Sequence, residues 1–271
     1  MGGRLLLVAC VLFFAVPRGA SAQDGEYALA HARASYNVRE YDEAVAAADE
    51  ARRTPDLAAS ADLVAARALL ERYRASGVAD DLTQARERLR RLDASRLNPR
   101  ERTEWLIGLG GALYFEETPG AAAVLFRTVL DAGDLDQAAR ENLLDWWASA
   151  LDRDARARPP DERASIYQAI RQRMTDELVA NPASGTAAYW MAAAAVGQGD
   201  WDGAWHAALA AWARAPLIAD GGTALRTDVE RLVERAIVPA RAKRLSLDQA
   251  DVANEWTAFK AKWVPQDQLI P

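Results

Sequence analysis

Apolar side chains recur along this chain in steps of three and four. Leu57, Ala61, Val64, Ala68 and Leu69 follow that spacing, as do Leu82, Ala85, Leu89 and Leu92, and later Val229, Leu232, Val233 and Ala236. Such steps return a side chain to one face of a 3.6-residue turn, so each run predicts an amphipathic helix. A strand would need period-two alternation rich in β-branched residues, and no such run is found. Breakers and helix starters separate the runs: Pro55, Gly77, Asn98-Pro99, Thr118-Pro119-Gly120, Gly133, Pro159-Pro160, Asn181-Pro182, Gly197-Gln198-Gly199, Pro216, Gly221-Gly222 and Pro239. They leave segments of roughly 12 to 20 residues, ordinary helix lengths. Ala, Leu, Arg and Glu supply the propensity, and short connections favour antiparallel neighbours. The expected class is therefore all-α. The stretch 151–162, "LDRDARARPPDE", reads as a long connection, and 225–239 and 247–263 read as two further helices.

The first 22 residues read as a secretory signal peptide. Arg4 is its positive end, 5–16 its apolar run, and Ala20-Ser21-Ala22 its small-x-small cleavage site. The competing reading is a lipid anchor on Cys10, because Leu7-Val8-Ala9-Cys10 spells a lipobox; the apolar run that continues past Cys10 argues against it. The expected location is export, to the periplasm. Cys10 is the only cysteine, so the cleaved chain would have no thiol, no disulfide and no cysteine-ligated metal. No second long apolar run follows, so no transmembrane span is expected after processing. Acids outnumber bases 39 to 33, and the Arg-rich stretch 86–96 is interleaved with acids. That balance excludes nucleic acid as a partner, since phosphate neutralisation needs a basic face.

Two segments resemble each other. In "REYDEAVAAADEARRTP" (39–55) and "GDWDGAWHAALAAWARAP" (199–216) an aromatic, Tyr41 or Trp201, follows a turn with an acid on each side. Alanines follow three, seven and ten residues later (Ala44, Ala48, Ala51; Ala204, Ala208, Ala211), and a proline closes each segment. This self-similarity resembles the tetratricopeptide repeat (TPR), a 34-residue helix–turn–helix unit. Residues 185–218 match over the full unit, with Ala192 at the close contact of the first helix, and 25–55 match nearly as well, with Ala32. Residues 102–131 match in part through Trp105, Gly108, Ala121 and Leu125, whereas 66–99 and 143–182 are degenerate. The resemblance implies a right-handed superhelix of about five antiparallel helix hairpins over 23–218. Residues 219–271 then supply C-terminal capping helices and a tail.

Little in the chain reads as catalysis. His206 has no second histidine or acid at the spacing a helix would need for a metal. His31 and Ser35 share a helix face, yet lack an orienting third group and an oxyanion turn. Gly108-x-Gly110-Gly111 follows a helical pattern instead of a strand, so it suits a close helix contact and not a phosphate. The acid pairs Asp80-Asp81, Glu116-Glu117 and Asp161-Glu162 are expected at helix N-termini, where they complement the dipole. Trp201, Trp205, Ala208 and Trp212 form one packing face. Trp256, Phe259 and Trp263 form a second stripe, expected to cap the array or to dock on a partner.

The expected function is accordingly that of an exported, non-catalytic scaffold with no cofactor and no metal. By the resemblance, first helices line a concave surface on which Arg33, Asn37, Arg67, Arg74, Tyr114 and Tyr189 would meet a protein or peptide, and self-assembly into a homo-oligomer is a further option. Arginines suit carboxylates, and tyrosines supply rigid contact area. The alternative is small-ligand binding, as in the TPR components of TRAP-type solute transporters, which would need a polar-lined pocket.

Overall fold

Thirteen α-helices occupy the described part of the chain, residues 19–218 and 221–263 of a computed structural model. They are α1 (Gly19–Asn37), α2 (Tyr41–Ala51), α3 (Ala58–Ser76), α4 (Ala79–Arg91), α5 (Pro99–Phe115), α6 (Pro119–Ala132) and α7 (Gln137–Arg156). There follow α8 (Pro160–Ala180), α9 (Gly185–Gln198), α10 (Trp201–Arg214), α11 (Thr223–Leu232), α12 (Val238–Leu245) and α13 (Gln249–Trp263). The described residues contain no strand. The apolar run of the expected signal peptide and Cys10 lie outside them.

The breakers act where elementary stereochemistry puts them. Pro99, Pro119 and Pro160 open α5, α6 and α8, where a missing N–H costs nothing. Asp136, Ser184 and Asp200 accept the N–H of Ala139, Ala187 and Gly203, capping α7, α9 and α10. Gly77, Gly133 and Gly199 stop α3, α6 and α9 in the left-handed region.

Two compact units divide the chain, one up to Arg102 and one from Thr103 on. The expected boundary near residue 218 falls inside the second. In the first unit, α1 and α2 run antiparallel, with His31 meeting Glu43 and the space beside Gly25 filled by Thr54. Ion pairs repeat the pattern, Arg72–Asp42 and Arg52–Asp62 between α2 and α3, Arg72–Asp81 and Arg88–Asp62 between α3 and α4. Helices α1 and α3 run in the same direction, since Gly25 adjoins Leu57 and Tyr36 adjoins Arg67. Their contact is lined by Ala28, Ala32, Ala61 and Ala65, whose small side chains let the backbones approach.

The second unit continues in the same manner. Helices α6 and α7 are antiparallel through Phe126–Trp146 and Leu130–Arg140, and α8 and α9 through Arg171–Gln198 and Thr175–Met191. Helices α7 and α9 are parallel, joined by Glu141 to the Thr186 N–H and by Asp145 to Trp190. Two glycines mark the closest approaches. A Cβ on Gly110 would stand 2.4 Å from the Phe126 ring, and one on Gly197 would stand 2.2 Å from Tyr167. Ala192, Ala204, Ala208 and Ala211 are all buried, as are Ala44, Ala48 and Ala51 in the first unit.

Three expectations change. The stretch 151–162 is no long connection: α7 runs to Arg156 and α8 starts at Pro160. Arg156 reaches back one turn to Asp152 and stabilises the added turn. Pro239 does not end a helix either. A wider π-helical turn at Val233–Ile237 precedes it, and the chain stays helical from Thr223 to Leu245. Such a turn shifts the hydrogen-bond ladder, which lets a proline follow without a clash. Glu116-Glu117 follows the C-terminus of α5, with Glu117 in the left-handed region and paired to Arg153.

Candidate functional site

The arginines expected to meet a partner's carboxylates are engaged within the first unit. Arg33 donates to Glu101 Oε1 at 2.8 Å. Glu101 is buried, and it also accepts the Ser60 hydroxyl at 2.6 Å and the Asn98 N–H at 3.1 Å. Asn98 Oδ1 takes the Glu101 N–H at 3.0 Å in return. This reciprocal pair is a capping box that starts α5, with asparagine in the capping place. Arg67 lies 4.5 Å above the Tyr36 ring, and Arg74 pairs at 2.6 Å with Glu71, one turn earlier on α3. Burial pushes the Tyr36 phenol upward; Arg67 opposes this, while Glu71 and Tyr41 add to it. Asn37 is exposed at the last position of α1. Arg33 therefore faces Glu101 and Ser60, whereas Arg67 and Arg74 border Tyr36 and Glu71.

In the second unit Tyr114 is part-buried. Trp146 meets its ring edge-on at 5.2 Å and the Arg153 guanidinium lies 5.2 Å above it. Tyr189, on α9, gathers a group that the sequence did not single out. Its ring meets Trp190 edge-on at 5.6 Å, and Trp190 Nε1 donates to Asp145 Oδ1 of α7 at 2.8 Å. Crowding by protein atoms pushes the Asp145 carboxyl above its ordinary range. The Trp190 bond opposes that push, and Asp228 of α11 reinforces it. Asp145 is nonetheless open to solvent. The Tyr189 phenol is pushed up by burial, then by Asp228, Asp145 and Asp152, with Arg231 opposing.

Asp228 carries its own partner, Arg231, at 3.0 Å on the same helix, and Asp152 accepts the Tyr167 hydroxyl at 2.8 Å. The surroundings of Tyr189 are thus aromatic and rich in acceptors, with Arg231 among the charges that act on it. Asp145 and Asp152 stand seven residues apart on α7, two turns along one face. That spacing was the available sequence signal. By itself it points to no site, because a lone acid on a helix ordinarily reads as solvated surface.

The C-terminal stripe divides. Trp256 is 2% exposed and packs edge-on against Trp212 at 5.3 Å and Trp205 at 6.1 Å, so it anchors α13 and is not free to dock a partner. Phe259 stacks on Trp256 at 6.0 Å, and Trp263, 51% exposed, is the end of the stripe that faces water. His206 is exposed on α10, whose buried residues include Trp205 and Trp212. His31 bonds Glu43 at 3.0 Å while Ser35 is buried, so the two form no catalytic pair.

No family model matches the chain, and no curated protein matches it. Among the described residues no three His, Cys, Asp or Glu side chains are grouped to hold a metal ion, and no helix is long and apolar enough to cross a membrane. A cavity of about 330 Å³ in the first unit is lined by Thr83, Gln84, Glu87, Arg88 and Arg91. All five belong to α4, and a lining from one helix has no facing wall to enclose a solute.

Proposed function

We propose that the chain is an exported helical-repeat scaffold of the TPR type, which binds a protein or peptide partner and catalyses no reaction. The observation that carries this reading is the relation of first helices. α1 with α3, and α7 with α9, run parallel across the hairpins between them, the arrangement by which stacked hairpins build a superhelix. Successive first helices begin at Ala58, Pro99, Gln137 and Gly185. Those steps of roughly 40 to 50 residues exceed the 34-residue unit, so the resemblance is closest at 25–55 and 185–218 and looser between them.

The partner is taken up on the first-helix face of the second unit, by Asp145, Tyr189 and Asp228. Tyr189 offers a rigid, part-buried ring that carries a hydroxyl, and the carboxylates accept hydrogen bonds from an extended chain or from its basic side chains. The first-unit arginines position helices in this reading. The test is capture of partners from envelope and secreted fractions by residues 23–271, wild type against Asp145→Asn/Tyr189→Ala/Asp228→Asn. A partner held by the wild type and lost by a variant of unchanged circular dichroism supports the reading. Equal recovery by both overturns it.

A further inference from the structure

The strongest unassigned feature lies away from the first-helix face, where α13 meets α10 and α11. The Lys260 ammonium sits 5.5 Å from the centre of the Trp212 ring and 5.8 Å from that of Trp256, and pairs with the Glu230 carboxylate. Two indole faces and one carboxylate around an ammonium are the parts of an aromatic cation cage. The Lys260 and Glu230 side chains remain 21% and 32% exposed, so the cage opens to solvent although both tryptophans are buried. A second cation, Arg226, lies 5.4 Å over Trp212 and holds that indole in place. The Trp212 and Trp256 Nε1 atoms have no hydrogen-bond acceptor, which leaves ring faces and the Glu230 carboxylate as the recognition elements of the site.

We infer that this cage is a binding site for a primary alkylammonium, the head group of a lysine side chain on a partner, and that Lys260 is its built-in competitor. A primary ammonium fits because Lys260 itself shows the chemistry the site takes: it donates N–H to Glu230 while its charge lies over both rings. A quaternary ammonium would keep the ring contacts and lose the N–H to Glu230. Lys260 stands on the last turns of α13, so displacing it loosens the end of that helix and couples occupancy to the C-terminal cap. Until displaced, the tethered lysine competes at an effective concentration on the order of millimolar.

The experiment is a titration of Lys260→Ala with n-butylammonium chloride, following the Trp212 and Trp256 indole N–H signals by NMR. Sodium chloride and tetramethylammonium chloride serve as the ionic-strength and no-donor arms. A saturable shift of those two signals is expected in Lys260→Ala. Half-saturation should be higher in the wild type, where the tethered competitor is present, by about twofold for a variant that half-saturates near a millimolar and by more for a tighter one. The shift should disappear in Glu230→Gln/Lys260→Ala. No saturation in Lys260→Ala, an equal response in the wild type, or an equal response to tetramethylammonium overturns the assignment. Should Lys260→Ala lose its native spectrum, the wild type is read alone through amide exchange over 249–263. Exchange that quickens with n-butylammonium and not with sodium chloride supports the site, and exchange unchanged at hundredfold excess overturns it.

Discussion

Trp190 Nε1 donates to Asp145 Oδ1 at 2.8 Å and ties α9 to α7 across the hairpin that separates them in sequence. The bond satisfies a buried indole, but it is a single donor to a carboxylate that protein atoms crowd and that Asp228 repels. Asp145 is therefore held where its charge is disfavoured, an arrangement that costs stability and leaves an acceptor looking for a second donor.

Asp145→Asn keeps an oxygen for Trp190 and removes the charge. The folded-state pKa of Asp145 is raised, so its contribution to stability is full below the unfolded carboxylate value and is lost as pH rises through the folded one. The variant is expected to melt above the wild type at neutral pH, and the gap should close below about pH 4, where both are uncharged. Thermal unfolding between pH 3 and 7 checks this; a gap independent of pH would contradict it.

Glu177 gives the opposite sign. Burial pushes its carboxyl up, but bonds from Arg140 and Arg173 outweigh it and leave the pKa lowered. Its stabilisation is present above the unfolded value and is lost as pH falls through the folded one. Glu177→Ala leaves Arg140 with the Leu130 carbonyl and Arg173 with Asp131, and is expected to cost about 1–3 kcal/mol near neutrality for the charged bonds lost. Denaturant unfolding should show that loss shrinking steadily on acidification.

Gly110→Ala tests the closest approach in the second unit. Its Cβ would stand 2.4 Å from a Phe126 ring that is itself fully buried, so the ring or the helix must shift. The expected cost is about 1–3 kcal/mol, read from urea unfolding. Gly77→Ala meets no atom within contact but holds a left-handed φ of 71°, and its cost should be about 1 kcal/mol from backbone strain alone.

Arg33→Ala separates binding from positioning in the first unit. Removal leaves the buried Glu101 with Ser60 and Asn98 as its donors, and a loss of about 1–2 kcal/mol is expected for the charged bond. Partner capture by the folded variant should be unchanged if, as proposed, the partner is taken up by Asp145, Tyr189 and Asp228. Reduced capture at unchanged stability would return Arg33 to the binding surface.

The helices were legible because their causes are local. Apolar steps of three and four, prolines at first turns, and glycines past last turns specify each segment within a few residues of itself. The alanines of the two similar segments were legible for the same reason, and all of Ala44, Ala48, Ala51, Ala204, Ala208 and Ala211 are buried. The extra turn of α7 and the passage through Pro239 were not. One depends on the i,i+4 pair of Asp152 and Arg156, a local signal that the Pro159-Pro160 breaker outweighs, and the other on a shifted hydrogen-bond ladder that leaves no mark in local composition.

What the sequence by itself determined, then, is an all-α chain, the faces its helices bury, and the packing role of "GDWDGAWHAALAAWARAP". Tertiary structure alone decided which charges are spent and which are open. Arg33 and Arg67 look alike in sequence, yet each is engaged by a group that another helix delivers, Glu101 or Tyr36, whereas Arg74 pairs locally with Glu71 on its own helix. Asp145, unremarkable in sequence, becomes a crowded carboxylate because α9 and α11 bring Trp190 and Asp228 toward it. The physical reason is range: helix formation is settled over a few residues along the chain, whereas the state of a charge is settled by neighbours in space.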